Sequence, residues 1–116
     1  MRRMDVIDNY KKTRFSKRDF NQRQWDIIRL GKKNGVDVRV YAKPDFDEWK
    51  MFRIFEALKG GFEEIVHYID DYDAGQLSQI YRVYKNGYPF GLILDRGYTF
   101  SQMYSRINEY EKKFIR

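Results

Sequence analysis

The residue pattern of this chain returns every 26 positions. Phe20, Phe46, Tyr72 and Tyr98 are spaced by that interval without a slip. One place later come Asn21, Asp47, Asp73 and Thr99, and three places after those Gln24, Lys50, Gln76 and Gln102. Trp25, Met51, Leu77 and Met103 follow, then Ile28, Ile54 and Ile80, a column that Arg106 breaks with Ile107 beside it. Gly35, Gly61 and Gly87 close the pattern, ahead of Val36, Phe62, Tyr88 and Phe114. A period of this length marks stacked supersecondary units, each too small to bury its apolar face alone.

Each column has a physical reason. Asn, Asp and Thr accept hydrogen bonds from the orphan amides of a first helical turn. A Gln three places on reaches back to complete a capping box, which Lys50 breaks in the second copy. The aromatic before the cap and the apolar residue after the Gln form a hydrophobic staple. The glycine ends the helix in a left-handed conformation. Helices are therefore expected near 22–34, 48–60, 74–86 and 100–113. Their inner stripe is Met51, Ile54, Phe55 and Leu58 in the second copy, and Leu77, Ile80, Tyr81 and Tyr84 in the third.

About ten residues lie between helices. The second connector reads as helical, with Phe62, Ile65, Val66 and Ile69 at i, i+3, i+4 and i+7, whereas Val36, Val38 and Val40 alternate as in a strand and Gly91-Leu92-Ile93-Leu94 is strand-compatible. The expected fold is all-α, a small α-solenoid of four helix–turn–short-helix repeats in a single domain over 1–116. The repeats span 20–45, 46–71, 72–97 and 98–116, behind a basic N-terminal arm or cap at 1–19. A strand plus a helix per repeat is the competing layout. The arm itself resembles a degraded copy: Tyr10 stands 26 before Val36 and Phe15 stands 26 before Tyr41, so Met4, Val6, Ile7 and Tyr10 are candidates for a capping helix.

Composition narrows the function classes. With no Cys and one His (His67), disulfides, thiolate catalysis and multi-His metal sites are excluded. No apolar run approaches the roughly 18 residues a spanning helix needs. No apolar stretch follows Met1-Arg2-Arg3-Met4 as in a secretory signal, so a cytoplasmic location is expected. The net charge of +6 is uneven. Residues 1–18 hold seven bases (Arg2, Arg3, Lys11, Lys12, Arg14, Lys17 and Arg18) against two acids, residues 20–45 carry +3, and residues 46–71 carry −4. Such an arm is either a solvated terminus or an attractor for phosphates or an acidic protein face.

The stretch from Gln24-Trp25-Asp26-Ile27-Ile28-Arg29-Leu30-Gly31 through Gly35-Val36-Asp37-Val38 to Tyr41-Ala42-Lys43-Pro44-Asp45-Phe46 resembles a tandem repeat. It is found in proteins of bacterial phages and mobile elements: Gln-Met-x-x-Ile-Arg-x-Gly-Leu-x-x-Gly-Leu-Asp-Val-x-x-Tyr-Ala-x-Pro-x-Phe. Trp25 replaces its Met and Lys32 its first Leu, and the later copies lose Asp-Val and Ala-x-Pro. The resemblance implies a mobile-element setting and an interaction role, and supplies no catalytic residues. By that setting, the partner is a host defence or replication complex, and inhibition of a defence such as CRISPR–Cas is an expected role.

The residues themselves point away from catalysis: no Gly-rich phosphate loop and no Ser-His-Asp signature is present. His67 aligns with Tyr41 and Ile93, which reads as a packed or partly exposed structural histidine rather than a catalytic one. Asp73 in Asp70-Asp71-Tyr72-Asp73 reads as a helix cap rather than a calcium ligand, and Glu63 and Glu64 as a solvated face. No enzyme activity, cofactor, metal, membrane or small-molecule substrate is expected. Trp49 stands where the other copies have Arg23, Gly75 and Ser101, and Phe52 where they have Asp26, Ser78 and Tyr104. Trp49, Phe52 and Arg53 thus project away from the apolar stripe, either toward a partner or beneath a neighbouring element such as the arm. Tyr104 and Tyr110 raise the same question. Two functions follow: a module that binds a protein or nucleoprotein, with Trp49, Phe52, Arg53 and Tyr104 in contact, or direct nucleic-acid binding through the arm with Arg23, Arg29, Lys32, Lys33 and Arg39. If the repeat frame is right, Gly61→Val costs more than about 1 kcal/mol in chemical denaturation. An unchanged unfolding midpoint would count against the frame.

Overall fold

Four short polar side chains start the four long helices of the computed structural model, which describes residues 16–115. The helices are α1 (Gln22–Lys33), α2 (Glu48–Lys59), α3 (Ala74–Asn86), a single turn α4 (Gly91–Leu94) and α5 (Phe100–Phe114), and no strand occurs among the described residues. At α1, Asn21 Oδ1 accepts from the Gln24 amide at 2.8 Å while the Asn21 amide donates to Gln24 Oε1 at 2.9 Å. The same reciprocal box joins Asp73 with Gln76 and Thr99 with Gln102. In the second copy, Asp47 still accepts from the Lys50 amide at 2.8 Å, but Lys50 has no acceptor to return the bond. Its ammonium instead lies 4.5 Å from the centre of the Phe46 ring.

Gly35, Gly61 and Gly87 all have left-handed backbone, with φ of 75°, 90° and 70°. After α1, the Gly35 amide donates to the Lys32 carbonyl and the Val36 amide to the Gly31 carbonyl, satisfying the helix's last acceptors. The connectors are helical turns: 3-10 at Val38–Val40 and Glu63–His67, and the turn α4. The strand-plus-helix layout is therefore excluded within the described residues. A 3-10 turn has three residues per turn, so Phe62 and Ile65 eclipse each other and are buried, whereas Val66 is rotated outward and exposed. The same geometry turns His67 outward, so that it is exposed although its column-mates Tyr41 and Ile93 are fully buried. The candidate capping helix with Met4, Val6, Ile7 and Tyr10 lies outside the described residues.

The described residues form two compact units, unit 1 ending at Gly61 and unit 2 beginning at Phe62. In the first, α1 packs on α2 around Ile28, Met51 and Ile54, all fully buried. Tyr41 closes this core: its hydroxyl donates to the Ile27 carbonyl at 2.7 Å. Gly31 permits that approach, since a Cβ there would collide with the Tyr41 hydroxyl and come within 2.6 Å of Val38. In the second unit, α3 and α4 pack on α5 around Leu77, Ile80, Ile93, Met103 and Ile107. Tyr81 and Tyr84, expected on the inner stripe, are only partly covered: Tyr84 stacks on buried Phe62 with ring centres 4.2 Å apart.

The capping glutamines have a second task. Gln24 Nε2 donates to the Phe46 carbonyl at 2.7 Å, and Gln76 Nε2 to the Tyr98 carbonyl at 2.8 Å, so each ties its own helix start to the aromatic that precedes the next. Gln24→Ala is expected to cost about 2 kcal/mol in denaturant unfolding, because it leaves a buried carbonyl without a donor. Gln102→Ala, which loses only its capping contact, should cost less than about 1 kcal/mol. Equal losses would show that the second bond contributes nothing.

Candidate functional site

In each unit two long helices run side by side, and residues 52 apart hold equivalent places. The two outer faces are finished differently. In unit 2, the Phe100 ring lies against Gly75, so closely that a Cβ there would sit 3.1 Å from it. Tyr104, half exposed, packs beside Phe100 at 5.9 Å and beneath the Arg82 guanidinium at 5.5 Å. Arg82 donates to Gln79 at 3.1 Å, Asn108 at 2.9 Å and Glu111 at 3.0 Å. Tyr88 donates to the other Glu111 oxygen at 2.8 Å, and that bond holds its phenol above the ordinary pKa. The space between the helices is bridged by these rings and a satisfied polar network, although Phe100 and Tyr104 both keep much of their surface exposed.

In unit 1 the equivalent face is open. Glu48 stands in place of Phe100 and takes a 2.9 Å ion pair from Arg23, the counterpart of Gly75. Ile27 and Leu30 replace Gln79 and Arg82, and Leu30 is exposed. Between the helices lies a groove of about 360 Å³, walled by Ile27, Trp49 and Phe52 with Arg23, Asp26 and Glu48 around it. Trp49 projects from the first turn of α2 with 62% of its surface exposed. Phe52 is half-buried, its ring 6.0 Å from that of Phe55, and Arg53 pairs with Glu56 at 3.0 Å.

Trp49, Phe52 and Arg53 thus share one face of unit 1, while Tyr104 belongs to the packed face of unit 2. Among the described residues nothing covers Trp49. Tyr110 is partly covered, with the Tyr88 and Phe114 rings each 5.0 Å away. The sequence reading missed the network around Arg82; its signal was a polar pair, Arg82 and Asn108, in the column that holds Leu30 and Glu56.

The basic candidates are dispersed over unit 1. Arg23 is engaged by Glu48, Arg29 lies 3.6 Å from Asp26, and Arg39 is held bidentately by Asp37, whose carboxyl that contact keeps below its ordinary pKa. Lys32 lies 5.8 Å from the Trp25 ring centre. Lys17, Arg18 and Lys33 are exposed. Arg2, Arg3, Lys11, Lys12 and Arg14 lie outside the described residues. By sequence, the described part of unit 1, residues 16–61, carries 11 bases against 7 acids, and that of unit 2, residues 62–115, carries 6 against 8.

Asp73 caps α3, as expected. Among the described residues, no three His, Cys, Asp or Glu side chains converge to hold a metal, and no helix is long and apolar enough to cross a membrane. No protein-family model, curated protein or solved structure matches the chain.

The exposure of Trp49 has a direct optical test. Trp25 is half-buried against Phe20, with ring centres 6.2 Å apart, so the two indoles differ in environment. Trp49→Phe should remove the red-shifted, acrylamide-quenchable part of the emission and leave a bluer, protected remainder. Unchanged quenching in that variant would place Trp49 under cover.

Proposed function

We propose that this chain is a non-enzymatic binding protein that presents a helical-repeat surface to a protein or nucleoprotein partner in the cytoplasm. One observation carries the reading: a tryptophan with 62% of its surface exposed stands beside an open apolar groove, at a place the second unit fills from within. Exposed Trp and Arg are the residue types that dominate binding energy at protein interfaces. The mobile-element repeat that the sequence resembles makes that partner a host defence complex, CRISPR–Cas included, or a replication complex.

In the same reading, the architecture is a solenoid of four 26-residue repeats. Recurrence of cap, clamp and left-handed glycine supports it. So does the last copy, in which two buried columns turn polar. Ile28, Ile54 and Ile80 are fully buried, but their counterpart Arg106 is only partly covered, donates to the Leu92 carbonyl at 2.6 Å and lies over Tyr98. Gly31, Ala57 and Val83 are buried, but their counterpart Glu109 is exposed. A terminal repeat with a polar outer face is what a helical array needs to stay soluble.

The excess of bases in unit 1 favours a second reading, direct binding of nucleic acid. Capture from host lysate by the full chain, with and without nuclease, separates the two. A partner retained after nuclease treatment supports protein recognition. Loss of all capture, together with binding to generic DNA that weakens steeply with salt, would overturn it in favour of nucleic acid.

A further inference from the structure

We infer that Asn34 is a site of spontaneous modification: its side-chain amide is lost as ammonia, leaving aspartate or isoaspartate, when the end of α1 unwinds, and Asn86 is its protected counterpart in unit 2.

The reactive pair occurs twice. Lys33-Asn34-Gly35 and Lys85-Asn86-Gly87 are the same tripeptide at matching places in the two units, and in both the asparagine and the glycine are exposed. The copy between them ends α2 in Gly60-Gly61 and has no side-chain amide there. The chemistry needs only water. The Gly35 amide nitrogen, once its proton has passed to hydroxide, attacks Cγ of Asn34. A C–N bond forms, the bond to Nδ2 breaks, and that nitrogen takes a proton from water and leaves as ammonia. Water then opens the five-membered imide at either carbonyl, giving aspartate or isoaspartate. Glycine suits the attacking place because it has no Cβ to obstruct the approach.

The folded helix end holds the reaction off. The ring closes only when Cβ of the asparagine lies near the plane of the following peptide, on the side of its nitrogen. At Asn34 ψ is 8°, which keeps Cβ well out of that plane. The helical backbone at Asn86, the last residue of α3, does the same. Nucleophile and leaving group are engaged as well. The Gly35 amide donates to the Lys32 carbonyl at 3.2 Å, and Asn34 Nδ2 to the Leu30 carbonyl at 2.8 Å. The Gly87 amide donates to the Tyr84 carbonyl at 3.2 Å, and Asn86 Nδ2 to the Arg82 carbonyl at 2.9 Å. Reaction therefore requires the last turn to open, and its rate follows the free energy of that opening.

The two ends differ in what closes them. Tyr88 follows Gly87, and its hydroxyl donates to Glu111 at 2.8 Å while its ring lies 5.0 Å from that of Tyr110, so α5 pins the end of α3. Val36 follows Gly35; it is half-buried and carries no side-chain donor or acceptor. The last turn of α1 also holds two lysines, Lys32 and Lys33, where that of α3 holds Lys85 alone. Nearby cations favour the deprotonated amide that attacks. Both differences put Asn34 first. Once formed, its carboxylate cannot donate to the Leu30 carbonyl and sets negative charge against the negative end of α1. The modification thus perpetuates the opening that allowed it.

The full chain, incubated at mildly alkaline pH and followed by peptide mapping with mass spectrometry, provides the test. The mass reads the exchange of NH2 for OH, and chromatography separates isoaspartate from aspartate. Asn34 is expected to convert about tenfold or more faster than Asn86, the margin that one hydrogen bond to a charged group supplies. In denaturant the two identical tripeptides should convert at equal rates. Tyr88→Phe should raise the Asn86 rate by about the same tenfold and leave that of Asn34 unchanged. Asn34→Asp should lower the midpoint of chemical denaturation. Asn86 converting as fast as Asn34 in the folded chain would overturn the inference. So would an Asn34 that stays intact through many half-lives of the denatured chain, or a difference between the sites that persists in denaturant. An Asn86 rate unmoved in a Tyr88→Phe chain of unchanged melting midpoint would overturn the pinning by α5. Should that variant unfold, the ratio of the two sites in the parent still decides.

Discussion

One side-chain amide holds each helical pair in register. The carbonyl of Gln24 completes the cap of its own helix, and its amide nitrogen reaches the Phe46 carbonyl immediately before the next cap. Gln76 does the same with Tyr98. A hydrogen bond of this kind contributes about 1 kcal/mol net, but failing to make it in a buried place costs more. The consequence is geometric as much as energetic. A helix start fixed to the next helix start sets the offset between neighbours, and only with that offset do Ile28, Met51 and Ile54 meet in one core. Glutamine alone among the common capping residues supplies both an acceptor and two donors on a stem long enough to span the two. Lys50, in the copy that ends unit 1, supplies neither acceptor nor planar fork and turns to the Phe46 ring.

The sequence made the long helices legible because their signals are local. Caps, boxes and left-handed glycines act within a few residues, and the 26-residue recurrence displays each of them several times. The missing box at Lys50 was legible for the same reason. The connectors were harder. A stretch such as Val36, Val38 and Val40 satisfies a strand's alternation, yet the Asp37 side chain caps a 3-10 turn by accepting from the Arg39 amide at 3.1 Å. Three residues cannot distinguish periods of 2.0, 3.0 and 3.6. Val66 was misplaced by that ambiguity: a period of 3.6 predicts Val66 inside, and a period of 3.0 turns it out.

The candidate groove was half legible. Trp49 and Phe52 stand out as departures from their columns. What the columns cannot show is whether a departure is compensated. Tyr104 departs from its column as visibly as Phe52 does, but its environment is completed by Phe100 and Arg82, residues whose contribution depends on the pairing of α3 with α5. Compensation is a property of tertiary contact, and no spacing rule carries it.

A repeat supplies its own reference state, and the departures sort by what they do to burial. Arg106 and Glu109 turn buried columns polar and so finish a surface toward water. Lys50 removes a clamp and leaves the core intact. Around Trp49 the change runs the other way, bringing apolar side chains to a face that the companion unit bridges with Phe100, Tyr104 and Arg82. The exposed part of Trp49 gains nothing for folding, since that surface stays in water in both states. Its place at the edge of a groove, rather than on a convex face, is what links the departure to recognition: a groove excludes water from an anchor more completely than a flat surface does, and that exclusion makes buried aromatic contacts strong.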